Sequence, residues 1–219
     1  MEFVEGKTLD DIISCKSKLS EDEALNYIHQ IGEALKEVHK LKILHRDLKP
    51  QNILVSDKNQ AVLIDFGAAR DFIDSNVLHS QILTPGYAPP EQYVREGKKG
   101  EFIDVYALGA TLYHCVTGRP PIPSPIRKLG DSLQSPKSLN GNISDSTNDV
   151  IMRALALEHL ERFQNIDDFL FALLNPIKQN KTHIDKTIFT KSQKEAYNQI
   201  KNFIDNPDLQ IFIFFRPNT

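Results

Sequence analysis

Segment 45–67 constrains the fold of this chain more than any other part of it. It begins with His-Arg-Asp-Leu-Lys-Pro-Gln-Asn and ends with Asp-Phe-Gly. Between these strings, two short apolar runs (53–55 and 61–64) flank a polar turn, a pattern that predicts a β-hairpin. Adjacent strands lie about 4.8 Å apart, so such a hairpin would bring Asn52 and Asp65 within reach of one metal ion.

The polar residues of this segment are of the types that phosphoryl transfer requires. Asp47 can accept the proton of an attacking hydroxyl, and Lys49 can neutralise charge on phosphates. Asn52 and Asp65 offer the hard oxygen ligands that a phosphate-bridging metal needs. Any one of them alone is more often a solvated turn residue. Their fixed order and spacing favour the chemical interpretation.

Apolar residues recur at helical spacing on both sides of this segment. Residues 20–41 form the clearest predicted helix, with Ser20 and Glu23 as a capping box. Residues 102–116 predict a buried helix, and Asp104 within it must be paired or hydrogen-bonded because it is a charge in an apolar run. The other expected elements are a short helix around 9–13, a proline-rich loop at 119–136, and helices at 144–157 and 165–174.

The composition excludes several classes of protein. A net charge of −3 gives no sign of a nucleic-acid or membrane surface. The first residues lack the basic and apolar regions of a signal peptide, and the apolar run 211–215 is far too short to span a bilayer. We therefore expect a soluble, cytoplasmic protein.

The cysteines and the histidines of the first long helix are expected to be structural. Cys15 and Cys115 form no CxxC motif and no cluster with histidine, so both are predicted to be small buried residues in a reducing compartment. His29 and His39 have no second ligand at metal spacing and are predicted to be ordinary surface or core-edge residues.

Taken together, these strings resemble the serine/threonine protein kinases, in particular the bacterial type. The resemblance also rests on Thr-Pro-Gly-Tyr-Ala-Pro-Pro-Glu (84–91), which ends in Pro-Pro-Glu where the family has Ala-Pro-Glu. It further rests on Asp-Val-Tyr-Ala-Leu-Gly (104–109), in which Tyr106 stands where the family has Trp. Residues 1–175 are similar in order to the hinge and C-terminal lobe of a kinase. This implies a mainly α fold, a helical bundle with a small catalytic-loop β-hairpin.

The resemblance implies specific roles in a reaction that uses ATP and Mg²⁺. Asp47 and Lys49 would be catalytic residues, and Thr84 would hydrogen-bond both of them and shape the site. Asn52 and Asp65 would be the metal ligands. The substrates would be proteins that present Ser or Thr hydroxyls.

The resemblance also implies an adenine site and two structural contacts. The backbone of Glu2 and Val4, in the hinge, would hydrogen-bond adenine above the side chain of Leu54. Leu54 is equally compatible with an ordinary position in the hydrophobic core. The implied structural contacts are Asp104 with the backbone of the catalytic loop, and Arg162 with Glu91.

The motifs that precede the hinge in kinases are not found in this sequence. There is no Gly-x-Gly-x-x-Gly loop and no Val-Ala-Ile-Lys strand. We interpret the chain as a kinase catalytic domain without the N-terminal lobe that covers the ATP phosphates. An exposed upper face would favour a partner that covers it. The alternatives are an inert kinase-like binding module and a non-functional gene fragment of a kinase–helicase fusion.

The residues after 175 are a separate region in composition. Residues 176–188 are a polar linker, and residues 189–219 predict a helix followed by a short apolar strand. Thr190 and Gln193 fit a capping box. The segment also weakly resembles the start of a superfamily-one helicase ATPase domain. No phosphate-binding loop follows in the sequence, so no nucleic-acid partner is expected for this chain.

Overall fold

The computed structural model describes residues 6–66, 70–71, 83–94, 97–130 and 133–175. Within these residues the fold is mostly helical, as the sequence predicts, and it contains two small sheets. The predictions for Glu2, Val4, the linker 176–188 and the segment 189–219 lie outside the described residues.

The longest helix, α2 (Glu21–Lys40), lies at the centre of the bundle. Its apolar stripe packs against α3 (Phe102–Thr117) and α7 (Ile166–Leu174). The predicted N-cap Ser20 accepts a hydrogen bond from the backbone N–H of Glu23. The carboxylate of Glu23 accepts hydrogen bonds from Lys16 and Tyr27. The cap at Ser20 is therefore confirmed, while the Glu23 side chain ties α2 to the helix before it.

Helix α3 (Phe102–Thr117) is buried on almost every side, which explains its nearly continuous apolar sequence. It ends at Gly118, whose φ of 76° is the left-handed conformation that glycine adopts without strain. Gly109 faces α6 (Asp145–Ala154), and a Cβ atom at this position would lie 2.6 Å from the Cβ of Ala154. The glycine therefore lets the two helices approach closely.

In the described part of the chain, five further helices surround α2 and α3. Helix α1 (Leu9–Lys16) begins with a capping box between Thr8 and Asp11. Helix α7 (Ile166–Leu174) begins at the N-cap Asn165, and α6 ends three residues before its predicted end. The proline-rich connection contains two short helices that the sequence did not predict, α4 (Ser124–Arg127) and α5 (Pro136–Leu139).

The strands confirm the predicted hairpin and add to it. Strands β3 (Ile53–Val55) and β4 (Ala61–Leu63) pair antiparallel, and β1 (Lys7–Thr8) pairs with the other edge of β3. A second, two-stranded sheet joins β2 (Ile43–Leu44) to β5 (Arg70–Asp71). The hairpin and the second sheet fix both ends of segment 45–67.

The prediction that both cysteines are buried is confirmed for Cys115 and wrong for Cys15. Cys115 is buried in α3, where burial raises the pKa of its thiol. Cys15 is exposed, because α1 buries Leu9 and Ile13 and leaves Cys15 on its outer face.

No helix in the described part of the chain is long and apolar enough to cross a membrane.

The close contact at Gly109 gives a test of the helix packing. We expect Gly109→Val to lower the free energy of unfolding by about 1–3 kcal/mol, because the added side chain overpacks the α3–α6 interface. Gly141→Val is the matched control, since a Cβ atom at Gly141 would meet nothing within 4 Å. Urea unfolding of both variants measures the difference, and equal stability of the two would contradict the close packing.

Candidate active site

The catalytic-loop segment 45–52 follows strand β2 and is anchored by apolar residues. Leu44 and Leu48 are fully buried, and Pro50 begins a short 3₁₀ turn that leads into β3. Arg46 has a φ of 66°, a left-handed conformation that reverses the chain just before Asp47. The loop therefore holds its polar side chains between a buried strand and a buried hairpin.

Asp47, Lys49 and Thr84 form one hydrogen-bonded cluster. The hydroxyl of Thr84 donates to Oδ1 of Asp47 over 2.8 Å. Lys49 Nζ donates to Thr84 Oγ1 over 2.9 Å and lies 2.8 Å from Asp47 Oδ2. Thr84 comes from a segment far along the chain, so this cluster joins the loop to residues 83–94. The Asp47 side chain retains 24% of its exposure, which leaves it accessible to another molecule.

Asn52 and Asp65 lie at the same end of the hairpin, as predicted. The backbone N–H of Ile64 donates to the carbonyl oxygen of Asn52 over 2.9 Å, and Asp65 follows directly with a φ of 63°. The side-chain Nδ2 of Asn52 donates to the carbonyl oxygen of Asp47 (2.7 Å) and to its Oδ2 (3.1 Å). These bonds direct the amide nitrogen of Asn52 toward the loop.

The oxygen donors at this end of the hairpin fit Mg²⁺. Mg²⁺ is usually held by one or two carboxylates together with substrate phosphates. Asp65 supplies a carboxylate and Asn52 an amide oxygen. Across the described ranges no group of three or more His, Cys, Asp or Glu side chains could hold a metal ion. The arrangement suits a cation that arrives with a phosphate.

Phe66 packs beside the first residue of the loop. Its ring meets the ring of His45 edge to face, with 4.7 Å between the centroids. Burial lowers the pKa of His45, so this ring stays neutral against Phe66. The contact holds the chain in place at the residue that follows Asp65.

A buried carboxylate holds the backbone of the loop. Asp104, on α3, is completely buried, and its two oxygens accept the backbone N–H groups of His45 and Arg46, each over 2.9 Å. This confirms the predicted link between Asp104 and the catalytic loop. Burial on its own would raise the pKa of Asp104, but the hydrogen bonds from His39 and the Arg46 backbone, with the charge of His39, lower it.

His39 is the residue that the sequence interpretation missed. It was expected to be an ordinary helix residue, yet it is buried and its Nε2 lies 2.7 Å from Asp104 Oδ2. The available signal was Asp104 itself, because a buried carboxylate requires partners. Nothing in the spacing of His39 identified it as one of them.

A second buried ion pair holds the segment that carries Thr84. Arg162 donates through Nη1 to Glu91 Oε1 (2.6 Å) and through Nη2 to Oε2 (3.0 Å), a bidentate geometry that confirms the predicted pair. The guanidinium carbon lies 4.9 Å from the centre of the Tyr106 ring. Next to Glu91, the side chain of Gln92 donates to the carbonyl oxygen of Arg46 over 3.0 Å. Segment 83–94 is thereby tied both to the bundle and to the loop.

The structure places the remaining predicted site residue without testing its role. Leu54 is half-buried in the middle of β3, opposite Val62 on one side and Thr8 on the other. Its place beneath adenine stays a prediction, as do the roles of Glu2 and Val4.

The Glu91–Arg162 pair gives a test of this architecture. We expect Glu91→Ala to lower the free energy of unfolding by about 3–5 kcal/mol, because it leaves the fully buried Arg162 without its carboxylate. Glu161→Ala, next to Arg162 but exposed, is the control and should change stability by less than about 0.5 kcal/mol. Urea unfolding measures both variants. A similar loss of stability in both variants would mean that the Glu91–Arg162 pair does not hold segment 83–94 in place.

The comparisons of this chain with a family model and with curated proteins agree on one family, the protein kinases. A family model described as protein kinase domain matches residues 1–195. A probable serine/threonine-protein kinase of Clostridium perfringens is 33% identical over 207 residues, and serine/threonine-protein kinase PrkC of Bacillus subtilis is 32% identical over 176 residues. A probable serine/threonine-protein kinase PknB of Lactococcus lactis is 28% identical over 221 residues.

These alignments cover most of this chain but a minor part of each relative. They include 89%, 77% and 97% of the chain, in the same order, and 29%, 27% and 35% of the relatives. The chain therefore spans about a third of the length of the curated relatives that it matches.

Proposed function

Because this chain belongs to the protein kinase family, we propose that it is the catalytic part of a serine/threonine protein kinase. In this proposal the site transfers the γ-phosphate of ATP to Ser or Thr hydroxyls of other proteins. The observation that carries the proposal is the cluster of Asp47, Lys49 and Thr84, in which a partly exposed carboxylate is oriented by an ammonium group and a hydroxyl.

Asp47 is the proton acceptor of the proposed reaction. The hydroxyl of the substrate donates to the Asp47 carboxylate, its oxygen forms a bond to the γ-phosphorus, and the bond from that phosphorus to ADP breaks. Thr84 and Asn52 hold the two carboxylate oxygens of Asp47, each over about 3 Å, and so fix the direction from which the hydroxyl is received.

Lys49 supplies positive charge beside the transferred group. Its Nζ is held between Asp47 and Thr84 and keeps a third donor for a phosphate oxygen. Charge that develops on the phosphoryl oxygens in the transition state is stabilised by a cation fixed in advance.

The proposed cofactor is Mg²⁺ bound with ATP. Asn52 and Asp65 would hold the ion, whose positive charge would neutralise negative charge on the phosphates. Leu54 would form the floor under adenine, and the backbone of Glu2 and Val4 would hydrogen-bond its edge. The 3₁₀ turn before β3 and the contact of Ile64 with Asn52 keep the two metal ligands together.

The presence of both Lys49 and Thr84 supports the proposal that the kinase acts on serine and threonine. The string His-Arg-Asp-Leu-Lys-Pro with a threonine at position 84 is the serine/threonine type in the resemblance described above. The curated relatives of Clostridium, Bacillus and Lactococcus carry names of the same class. The Gly-x-Gly-x-x-Gly loop and the Val-Ala-Ile-Lys strand, which cover and align the ATP phosphates in kinases, are not found in the 219 residues.

The alternative is a kinase-like module that binds MgATP without transferring phosphate. The intact cluster around Asp47 favours transfer, because a module that only binds has no need of an oriented proton acceptor. One measurement distinguishes the two functions, namely whether phosphate is transferred from ATP to a protein acceptor.

Asp47→Asn tests the proposal in the full gene product that contains these residues. With MgATP and a library of Ser/Thr peptides, we expect a fall in kcat of about 10²–10⁴-fold, because the variant has no proton acceptor. The affinity for MgATP should stay within about twofold of the wild type, since Asp47 does not hold the metal in this proposal.

Asp57→Asn is the matched control for this substitution. Asp57 is exposed in the turn of the same hairpin, away from the cluster, and its replacement should leave kcat unchanged. Wild-type protein that binds MgATP but transfers no phosphate would favour the binding module. Transfer that survives Asp47→Asn would contradict the proposed role of Asp47.

A further inference from the structure

Gln92 joins segment 83–94 to the backbone of the catalytic loop. It lies in a short 3₁₀ turn (Pro90–Tyr93), and its side-chain Nε2 donates to the carbonyl oxygen of Arg46 over 3.0 Å. The backbone N–H of Gln92 donates to the carbonyl oxygen of Pro89 over 3.1 Å. The turn therefore holds the backbone of Gln92 while its side chain reaches the catalytic loop.

The acceptor of this bond belongs to the peptide group that leads into Asp47. The carbonyl of Arg46 and the N–H of Asp47 lie in one plane, because the peptide bond between them does not rotate freely. A hydrogen bond to the carbonyl oxygen therefore sets the tilt of the plane from which the Cα of Asp47 and its side chain project.

The peptide group on the other side of Arg46 is held as well. The N–H of Arg46 donates to Oδ1 of Asp104 over 2.9 Å. Arg46 has a φ of 66°, a conformation that persists only where the surroundings over-determine it. Because Asp104 fixes one peptide plane and Gln92 fixes the next, rotation about both backbone bonds of Arg46 is restricted. Gln92 supplies the constraint on the side of Asp47.

The donor is fixed by the ion pair next to it. Glu91, the preceding residue, accepts hydrogen bonds from both Nη atoms of Arg162, over 2.6 and 3.0 Å. Arg162 is 1% exposed, and Pro90 is also buried. A donor carried by so firmly packed an element can hold its acceptor in a defined position.

Segment 83–94 thus acts on Asp47 in two ways. The hydroxyl of Thr84 donates to the Asp47 carboxylate over 2.8 Å and orients the side chain. Gln92 orients the backbone from which this side chain projects. A proton acceptor must lie within hydrogen-bond reach of the proton that it takes, so an error in either orientation would lower the rate of transfer.

We propose that Gln92 is a positioning residue for phosphoryl transfer. Its amide group holds the peptide plane between Arg46 and Asp47, so that the aim of the Asp47 carboxylate depends on the docking of segment 83–94. The effect on rate rests on the proposed kinase function, whereas the hydrogen bond itself can be measured in an inactive protein.

NMR of the full gene product tests the hydrogen bond without reference to activity. Labelling arginine with ¹³C at the carbonyl carbon and aspartate with ¹⁵N selects the peptide groups of Arg–Asp pairs, which occur at 46–47 and 70–71 in the 219 residues. The signal of 46–47 is assigned by its absence in Asp47→Asn. We expect its carbonyl carbon to move to lower frequency in Gln92→Met, because methionine is of similar length but has no donor. An unchanged signal would overturn the proposal.

Gln30→Met is the matched control for this substitution. The Nε2 of Gln30 donates to the carbonyl oxygen of Asn59 over 3.1 Å, and Asn59, with a φ of 59°, is also in the left-handed conformation. This bond lies at the turn of the hairpin, away from the catalytic loop. Gln30→Met should therefore leave both the 46–47 signal and kcat unchanged.

Kinetics of the same variants test the positioning role. With MgATP and a library of Ser/Thr peptides, we expect Gln92→Met to lower kcat by about 10–100-fold, since a misplacement of about 1 Å costs about 100-fold. KM for MgATP should stay within about twofold of the wild type, because Gln92 is not one of the proposed ligands of the metal or of adenine. A variant that loses stability in urea but keeps its kcat would show that Gln92 is only structural and would overturn the inference.

Gln92→Glu separates the effect of the donor from that of the side chain's shape. Glutamate has nearly the shape of glutamine, but at about pH 8, far above its ordinary pKa of about 4.3, it is ionised and only accepts hydrogen bonds. Because it would face the carbonyl oxygen of Arg46, it should lower kcat at least as far as Gln92→Met does. If packing alone mattered, glutamate would be the better substitute, so a kcat close to that of the wild type would overturn the inference.

The outcomes distinguish the role of Gln92 from the kinase function. A wild type that transfers no phosphate, yet whose 46–47 signal responds to Gln92→Met, would refute the kinase function and leave the hydrogen bond standing. Transfer that is lost in Asp47→Asn but unchanged in Gln92→Met would refute the role of Gln92 and leave the kinase function standing.

Discussion

The structure of the site depends on one fully buried carboxylate. Asp104 lies in an apolar helix where an unpaired charge would be strongly destabilising, so the fold must provide donors for it. The donors are two consecutive backbone N–H groups of the catalytic loop and the ring of His39. The need to satisfy Asp104 is thus the physical reason that the loop meets the helical bundle at a defined place and in a defined conformation.

The buried interactions also maintain local strain on both sides of the site. Arg46 and Asp65 have φ values of 66° and 63°, and a residue other than glycine in this region costs roughly 1–3 kcal/mol. The loop backbone is held by Asp104 on one side, and the chain after Asp65 is held by the contact of Phe66 with His45. Such conformations persist only where the surroundings over-determine them, which is the case here before and after the hairpin in the chain.

Much of the fold and part of the site could be predicted from the sequence, for identifiable reasons. The hairpin was predictable because its apolar runs and polar turn have a clear period. That Asp104 needs partners was predictable because it is a charge in an apolar helix, but its contact with the catalytic loop was implied only by the family resemblance. The pairing of β1 was missed because a two-residue strand has no period to detect. Cys15 was placed wrongly because residue type alone does not say which face of α1 is buried. His39 was missed because its importance comes from a helix more than sixty residues away in sequence.

The bidentate pair of Glu91 and Arg162 has a consequence for how the protein is made. The two residues are 71 positions apart in the chain, so the ribosome adds Arg162 only about 4–14 s after Glu91 at a typical rate of synthesis. During this interval the segment that carries Thr84 has no guanidinium to dock against. The contact between Thr84 and Asp47 can therefore gain its full support only late in translation.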